Sequence, residues 1–269
     1  MLKNTSKLPD IPTEEHMKPT AVPHRPALWS AMTAILVVTV TYLIALFIGG
    51  TLLSAYASMH HWSSAYTNQW LNSSVMAQFL YVLLDESITL LLLWAFIKWR
   101  HYKGVRKALG LIRPRAKDFY YVLTGAAVYF VMYIFVVNLA VSITHLDINQ
   151  QQDIGFQVVN SNRDLVLTFL SLVLLPPIVE EVIFRGFLFS GLRRRFPFWA
   201  ATVVTSAIFA VPHLLESNGA GLLWTAGIDT FILSLVLCYV REKTGHLWAG
   251  MAIHGLKNLL AFYVLFMSR

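Results

Sequence analysis

Ionisable side chains interrupt the apolar stretch "LLPPIVEEVIFRGFLF", Leu174 to Phe189. Glu181 and Arg185 stand four residues apart, so in a helix they share one face, where an acid and a base can pair and lower the cost of burying each other. Glu180 points about 100° away from that face and has no such partner. We therefore predict that Glu180 is a free carboxylate suited to general-base catalysis. Glu181 and Arg185 have supporting roles in this interpretation.

Two adjacent prolines, Pro176 and Pro177, precede the glutamates. A proline removes a backbone hydrogen-bond donor and suits the first turn of a helix. The sequence therefore predicts that a helix restarts here, with the glutamates near the positive end of its dipole. Membrane proteins tolerate loosened backbone where it lines a cavity or packs within protein. The alternative interpretation is a proline kink that holds a buried ion-pair network without chemistry.

Two further pairs of residues show the same four-residue spacing. His213 follows Phe209, and Asn258 follows His254, so each pair lies on one helical face. Two histidines, a free carboxylate and an amide on three separate segments indicate a reactive site. Such a set can activate water and stabilise an oxyanion without a metal. Glu180, His213 and His254 could equally bind a zinc ion, so both mechanisms stay open.

The segments that carry these residues are too apolar for a soluble domain. Of the 269 residues, 57% are hydrophobic and 13% are charged, whereas soluble domains are about a quarter charged. About 20 apolar residues span a bilayer as a helix. We therefore predict an all-α fold, a polytopic membrane helix bundle with about seven transmembrane helices. The predicted spans are Trp29–Tyr56, Val75–Ile97, Phe119–Ile143, Leu165–Leu192, Phe198–His213, Leu222–Val240 and Leu247–Met267.

The distribution of basic residues predicts how the bundle lies in the membrane. Seventeen of the 21 Lys and Arg residues fall in the N-terminal arm and in alternate connectors, so the positive-inside rule predicts a cytoplasmic N-terminus. We expect a polar cytoplasmic arm at 1–27 and one membrane-embedded domain at 28–269, with the motif-bearing core at 165–267. Anionic lipid and topology explain the net charge of +7, and nucleic acid is not an expected partner. The single cysteine excludes an internal disulfide.

The remaining ionisable residues within the predicted spans need partners, because a charge in hydrocarbon is costly. Lys257 lies inside the His254 to Asn258 motif, and we predict that it pairs with Asp229. Asp85 and Glu86 are expected to make helix contacts that support the site.

The three motifs, E-E-x-x-x-R at 180–185, F-x-x-x-H at 209–213 and H-x-x-x-N at 254–258, together resemble one family. It is the CPBP family (CAAX protease and bacteriocin-processing, or Abi) of intramembrane proteases, related to the type II CAAX prenyl endopeptidase. The resemblance implies a membrane-embedded protease domain over 28–269 that hydrolyses membrane-associated peptide or protein substrates in the lipid bilayer, and we expect that bilayer to be a bacterial plasma membrane. It implies that Glu180 activates water beside His213, while His254 and Asn258 polarise the scissile carbonyl or stabilise its oxyanion. A metalloendopeptidase with zinc and a metal-free glutamate peptidase are both compatible with it.

Two other functions fit the same residues. One is a non-catalytic bacteriocin self-immunity membrane protein that keeps the polar cluster as structure. The other is a small transporter that uses buried carboxylates as a proton relay. The sequence shows no inverted repeat, which counts against a transporter.

Overall fold

The computed structural model describes residues 28–144, 146–148, 152, 154–156, 158–217 and 221–268, and the polar arm predicted at 1–27 lies outside them. Across the described residues the chain forms helices and no strand, apart from one isolated bridge between Gln152 and Ser217. The helices are α1 Ala31–Met59, α2 Ser64–Ser73, α3 Val75–Trp99, α4 Val105–Leu109, α5 Asp118–Thr144, α6 Asn162–Leu192, α7 Phe198–Leu214, α8 Trp224–Thr244 and α9 Trp248–Met267.

The prediction of an all-α membrane bundle is confirmed. Among the described residues, six helices are long and apolar enough to cross a membrane: α1, α3, α5, α6, α8 and α9. The fifth predicted span corresponds to α7, a shorter apolar helix of 17 residues. The outer helices expose large apolar side chains, as lipid contact requires. On α5, for example, Val131, Phe135 and Ile143 are each about two thirds exposed.

Most of the described basic residues lie in segments that meet at one end of the bundle. We call this end the basic end, and it consists of residues 28–30, 98–117, 193–197 and 241–247. Arg194 donates a hydrogen bond to the Trp29 carbonyl at the start of α1 (3.0 Å). The Arg193 guanidinium pairs with Glu242 at 2.7 Å. Arg241 donates to the Ala108 carbonyl (3.1 Å). These contacts place the predicted inner connectors on one side of the bundle.

The connector between α3 and α5 packs on the bundle as well as carrying positive charge. Gly110 ends α4 with a φ of 82°, and a Cβ built there would lie 2.7 Å from the Arg241 Cζ. Only glycine suits that conformation and that close approach. Behind it, His246 Nε2 lies 2.6 Å from the buried carboxylate of Asp118. This connector is therefore a folded part of the domain.

The helix α6 is the centre of the bundle and carries the two adjacent glutamates. Its residues 181–189 are all buried. The helix contains π-helical turns at Leu170–Leu174 and Glu181–Leu188, on either side of an α-helical turn at Leu175–Glu180. As expected, an α-helical segment begins at Leu175 with the prolines in its first turn. Leu174 keeps helical dihedral angles, however, so α6 continues through this point without a loop. The glutamates therefore do not lie at a free helix N-terminus.

Candidate active site

A polar cavity of about 700 Å³ lies between α1, α3, α6, α7 and α9. All four residues predicted to be catalytic line this cavity: Glu180, His213, His254 and Asn258. A cavity of this size is typical of sites that bind a small ligand or a short segment of peptide. Helical spacing within each motif thus identified residues that three separate helices bring to one cavity.

Glu180 faces the cavity, and its carboxylate has few polar contacts. Its side chain is 22% exposed, and among the described residues no hydrogen bond reaches its oxygens. The nearest titratable partner is His254, whose Nε2 lies 3.7 Å from Glu180 Oε2. A carboxylate in this position can accept a proton from a water molecule in the cavity.

Glu181 lies on the other face of α6 and forms a buried ion pair. Its Oε1 accepts a hydrogen bond from Arg185 Nη1 at 2.9 Å, and both side chains are at most 1% exposed. The Arg185 guanidinium also lies over the Phe209 ring, 4.4 Å from its centroid. The predicted ion pair is therefore present, and Phe209 of the second motif contacts it directly.

His254 lies between the two glutamates. Its Nδ1 is 3.5 Å from Glu181 Oε1, opposite the Nε2 that approaches Glu180. Gly250, one turn earlier on α9, makes room for this arrangement, because a Cβ built there would lie 2.7 Å from Glu181 Oε2. The buried pair on α6 thus orients the histidine that faces the free carboxylate.

His213 reaches the cavity from α7. Its Nδ1 lies 2.9 Å from the Phe209 carbonyl oxygen. A carbonyl can only accept, so Nδ1 carries the hydrogen and Nε2 is left for water or a substrate. Asn258 lines the cavity from α9, and its Nδ2 donates to the Leu172 carbonyl on α6 at 2.8 Å.

A second ion pair lies beside the cavity. Lys257 Nζ is 3.0 Å from Asp229 Oδ2, as predicted from the need of Lys257 for a partner. The hydroxyl of Tyr129 on α5 donates to the other oxygen of Asp229. Sequence reasoning missed Tyr129, and it also missed Glu216, which lines the cavity just after α7. No motif marks either residue, since each reaches the site only through the packing of helices.

The residues proposed as zinc ligands do not form a ligand set in this arrangement. Within the described parts of the chain, no group of three His, Cys, Asp or Glu side chains is placed to hold a metal ion. His213 uses Nδ1 on a backbone carbonyl, and the two nitrogens of His254 approach two different glutamates. Glu180, His213 and His254 therefore do not fit a zinc site as they stand.

Comparison with known proteins points to one family for the motif-bearing part of the chain. Residues 162–260 match the family described as type II CAAX prenyl endopeptidase Rce1-like. The chain is also similar to a curated Escherichia coli protein, named only as an uncharacterized 24.3 kDa protein, with 30% identity over 93 residues. The matched region covers 34% of this chain and 41% of that relative, so the chain spans about two fifths of the relative's length. No solved structure matches the chain.

The family match contains every motif residue that meets at the cavity. Glu180, His213 and Asn258 all lie between 162 and 260. The resemblance predicted from the three motifs is therefore confirmed for this segment. Residues 162–260 are thus similar to the Rce1-like family of type II CAAX prenyl endopeptidases.

Proposed function

We propose that this protein is an intramembrane endopeptidase that hydrolyses peptide bonds of membrane-associated peptides or proteins. The observation that carries the proposal is the free carboxylate of Glu180, which faces a cavity of about 700 Å³ and lies 3.7 Å from His254. The match of residues 162–260 to the Rce1-like family supports the same reaction class.

In the proposed reaction Glu180 accepts a proton from a cavity water as the water oxygen attacks the scissile carbonyl carbon. The new C–O bond places negative charge on the carbonyl oxygen, which an N–H donor at the cavity wall stabilises. His254 is the side chain available for this task, with its hydrogen on Nε2. Nε2 of His213 can only accept, because the hydrogen of that ring is on Nδ1. When the C–N bond breaks, the proton held by Glu180 passes to the leaving nitrogen. Water thus supplies the hydroxyl group of one product and a hydrogen of the other.

The test is cleavage of a panel of reporter peptides by wild type and Glu180→Gln in matched detergent preparations. Glutamine keeps the shape of the side chain and cannot take the proton, so we expect a loss of about 10²–10⁴-fold in kcat. Glu242→Gln is the matched control, because Glu242 pairs with Arg193 at the basic end, away from the cavity. It should leave cleavage within about twofold of wild type.

Cleavage that survives in Glu180→Gln would contradict the proposal. A wild-type protein that cleaves nothing, but protects cells from a bacteriocin even without Glu180, His213 and His254, would favour the self-immunity function instead. Metal content and chelator sensitivity of the wild type, measured in the same preparations, would separate a zinc-dependent enzyme from a glutamate peptidase.

We further propose that the N-terminus is cytoplasmic, in a bacterial plasma membrane, and that substrates reach the cavity from the outer side. The gathering of basic connectors at one end supports a cytoplasmic basic end. The cavity wall includes Asn72 of α2, with Gln152 and Glu216 of connectors, all at the opposite end. In intact cells a membrane-impermeant thiol reagent should label Glu216→Cys but not Lys103→Cys, and the reverse pattern would overturn the orientation. The native Cys238 is buried and adds little background.

A further inference from the structure

The carbonyl of Leu172 on α6 has no backbone partner within its own helix. In an α-helix it would accept from residue 176, and in a π-helix from residue 177, but both are prolines and have no N–H. The N–H of Leu175, the remaining neighbour, bonds to the Leu170 carbonyl. The double proline therefore leaves this acceptor of α6 without a helical donor.

Asn258 on α9 supplies the missing donor. Its Nδ2 lies 2.8 Å from the Leu172 oxygen, across a sequence separation of 86 residues. The NH₂ group of Asn258, and not its oxygen, faces Leu172, because a carbonyl oxygen can only accept a hydrogen bond. A backbone acceptor at membrane depth must be satisfied within the protein. The side chain thus takes the place of a backbone N–H.

This bond joins the two helices that carry the facing residues of the site. Leu172 precedes Glu180 by about two turns of α6, and Asn258 follows His254 by one turn of α9. Any movement of the interrupted part of α6 away from α9 would change the distance between Glu180 and His254, now 3.7 Å.

We infer that Asn258 is a positioning residue, which holds Glu180 against His254 by hydrogen-bonding the carbonyl that Pro176 and Pro177 leave unsatisfied. This inference rests on the proposed peptidase function for its effect on catalysis, although the hydrogen bond itself does not. It differs from the role that the family resemblance implies, in which Asn258 acts on the substrate carbonyl. One amide hydrogen of Asn258 is already committed to Leu172.

Asn258 could act by positioning α6 or by contacting the substrate carbonyl. The two roles can be distinguished by restoring a backbone N–H that bonds the Leu172 carbonyl. Asn258→Ala removes the side-chain donor, and we expect kcat to fall on the order of 10²-fold, as small misplacements of reacting groups do. KM should stay within about twofold. Pro176→Ala restores an N–H at the α-helical position, so the double variant should regain at least about tenfold of the lost kcat. A double variant no better than Asn258→Ala, with Pro176→Ala itself active, would overturn the inference.

Pro177→Ala serves as a second rescue, because it restores the donor at the π-helical position if Pro176→Ala distorts the helix. Asn138→Ala is the matched control. Its Nδ2 bonds within α5 to the Ile134 carbonyl, at an exposed position, and its loss should change neither kcat nor KM.

A thermal-unfolding cycle tests the hydrogen bond without any substrate. Asn258→Ala should lower the unfolding midpoint in the wild-type background and lower it less in the Pro176→Ala background, because the two changes act on one carbonyl. Equal shifts in both backgrounds would overturn the bond's proposed role. If the wild type cleaved no peptide, the peptidase function would fail while this cycle still decided the inference.

Discussion

Two adjacent glutamates on α6, Glu180 and Glu181, lie in different environments. Glu181 is 1% exposed, pairs with Arg185 and approaches His254, whereas Glu180 is 22% exposed and has no hydrogen bond among the described residues. Burial without a partner is costly for a charge, so a carboxylate persists either fully paired or beside a cavity. The paired residue gives the site its rigidity, and the unpaired one keeps lone pairs free for a proton.

The largest expected effect on stability comes from breaking the buried pair. Glu181→Ala leaves the Arg185 guanidinium buried and unpaired, so we expect a loss of about 3–5 kcal/mol in the free energy of unfolding. Glu180→Ala removes a part-exposed group without a hydrogen bond and should change that free energy by less than about 0.5 kcal/mol. Unfolding of the two variants in detergent, followed by circular dichroism, measures the difference. Equal losses would contradict the division of roles between the two faces.

A smaller effect should follow from crowding the paired carboxylate. A methyl group at Gly250 would lie 2.7 Å from Glu181 Oε2, so Gly250→Ala must displace Glu181 or α9. We expect a loss of about 1–3 kcal/mol in the free energy of unfolding, as for other overpacked cores. Gly255→Ala on the same helix is the control, because its Cβ would lie 3.8 Å from the Val173 carbonyl, an ordinary contact. Similar losses of unfolding free energy in both variants would show that the effect comes from adding a methyl group to α9, and not from the contact with Glu181.

The sequence predicted those parts of the site that depend on spacing along one helix or on the need of a buried charge for a partner. The four-residue interval of Glu181 and Arg185 predicted their pair, and the charge of Lys257 predicted a partner that proved to be Asp229. It did not predict that Tyr129 bonds Asp229, because that contact depends on how α5 packs against α8. The prolines indicated a break in the hydrogen bonds of α6, but not that the helix continues through a π turn or that Asn258 on α9 bonds the Leu172 carbonyl, which is a contact between helices.

The smallest effect concerns the second ion pair, which lies closer to the cavity than Glu181 and Arg185. Its Lys257 and Asp229 side chains are 21% and 16% exposed, so this pair is less buried than Glu181 and Arg185. Tyr129→Phe removes one hydrogen bond to Asp229, and we expect a loss of about 0.6 kcal/mol in the free energy of unfolding, the average for such bonds between membrane helices.

Tyr133→Phe is the matched control for that change. Tyr133 stacks on Tyr129 with ring centroids 6.1 Å apart, and its hydroxyl has no hydrogen bond among the described residues. Its loss should leave unfolding unchanged, and both variants should cleave the reporter peptide within about twofold of wild type. Suppose instead that Tyr129→Phe lowered the free energy of unfolding as much as Glu181→Ala does. The pair of Lys257 and Asp229 would then depend on its hydrogen-bond partners as strongly as the buried pair of Glu181 and Arg185. Partial exposure would not explain a difference between the two ion pairs.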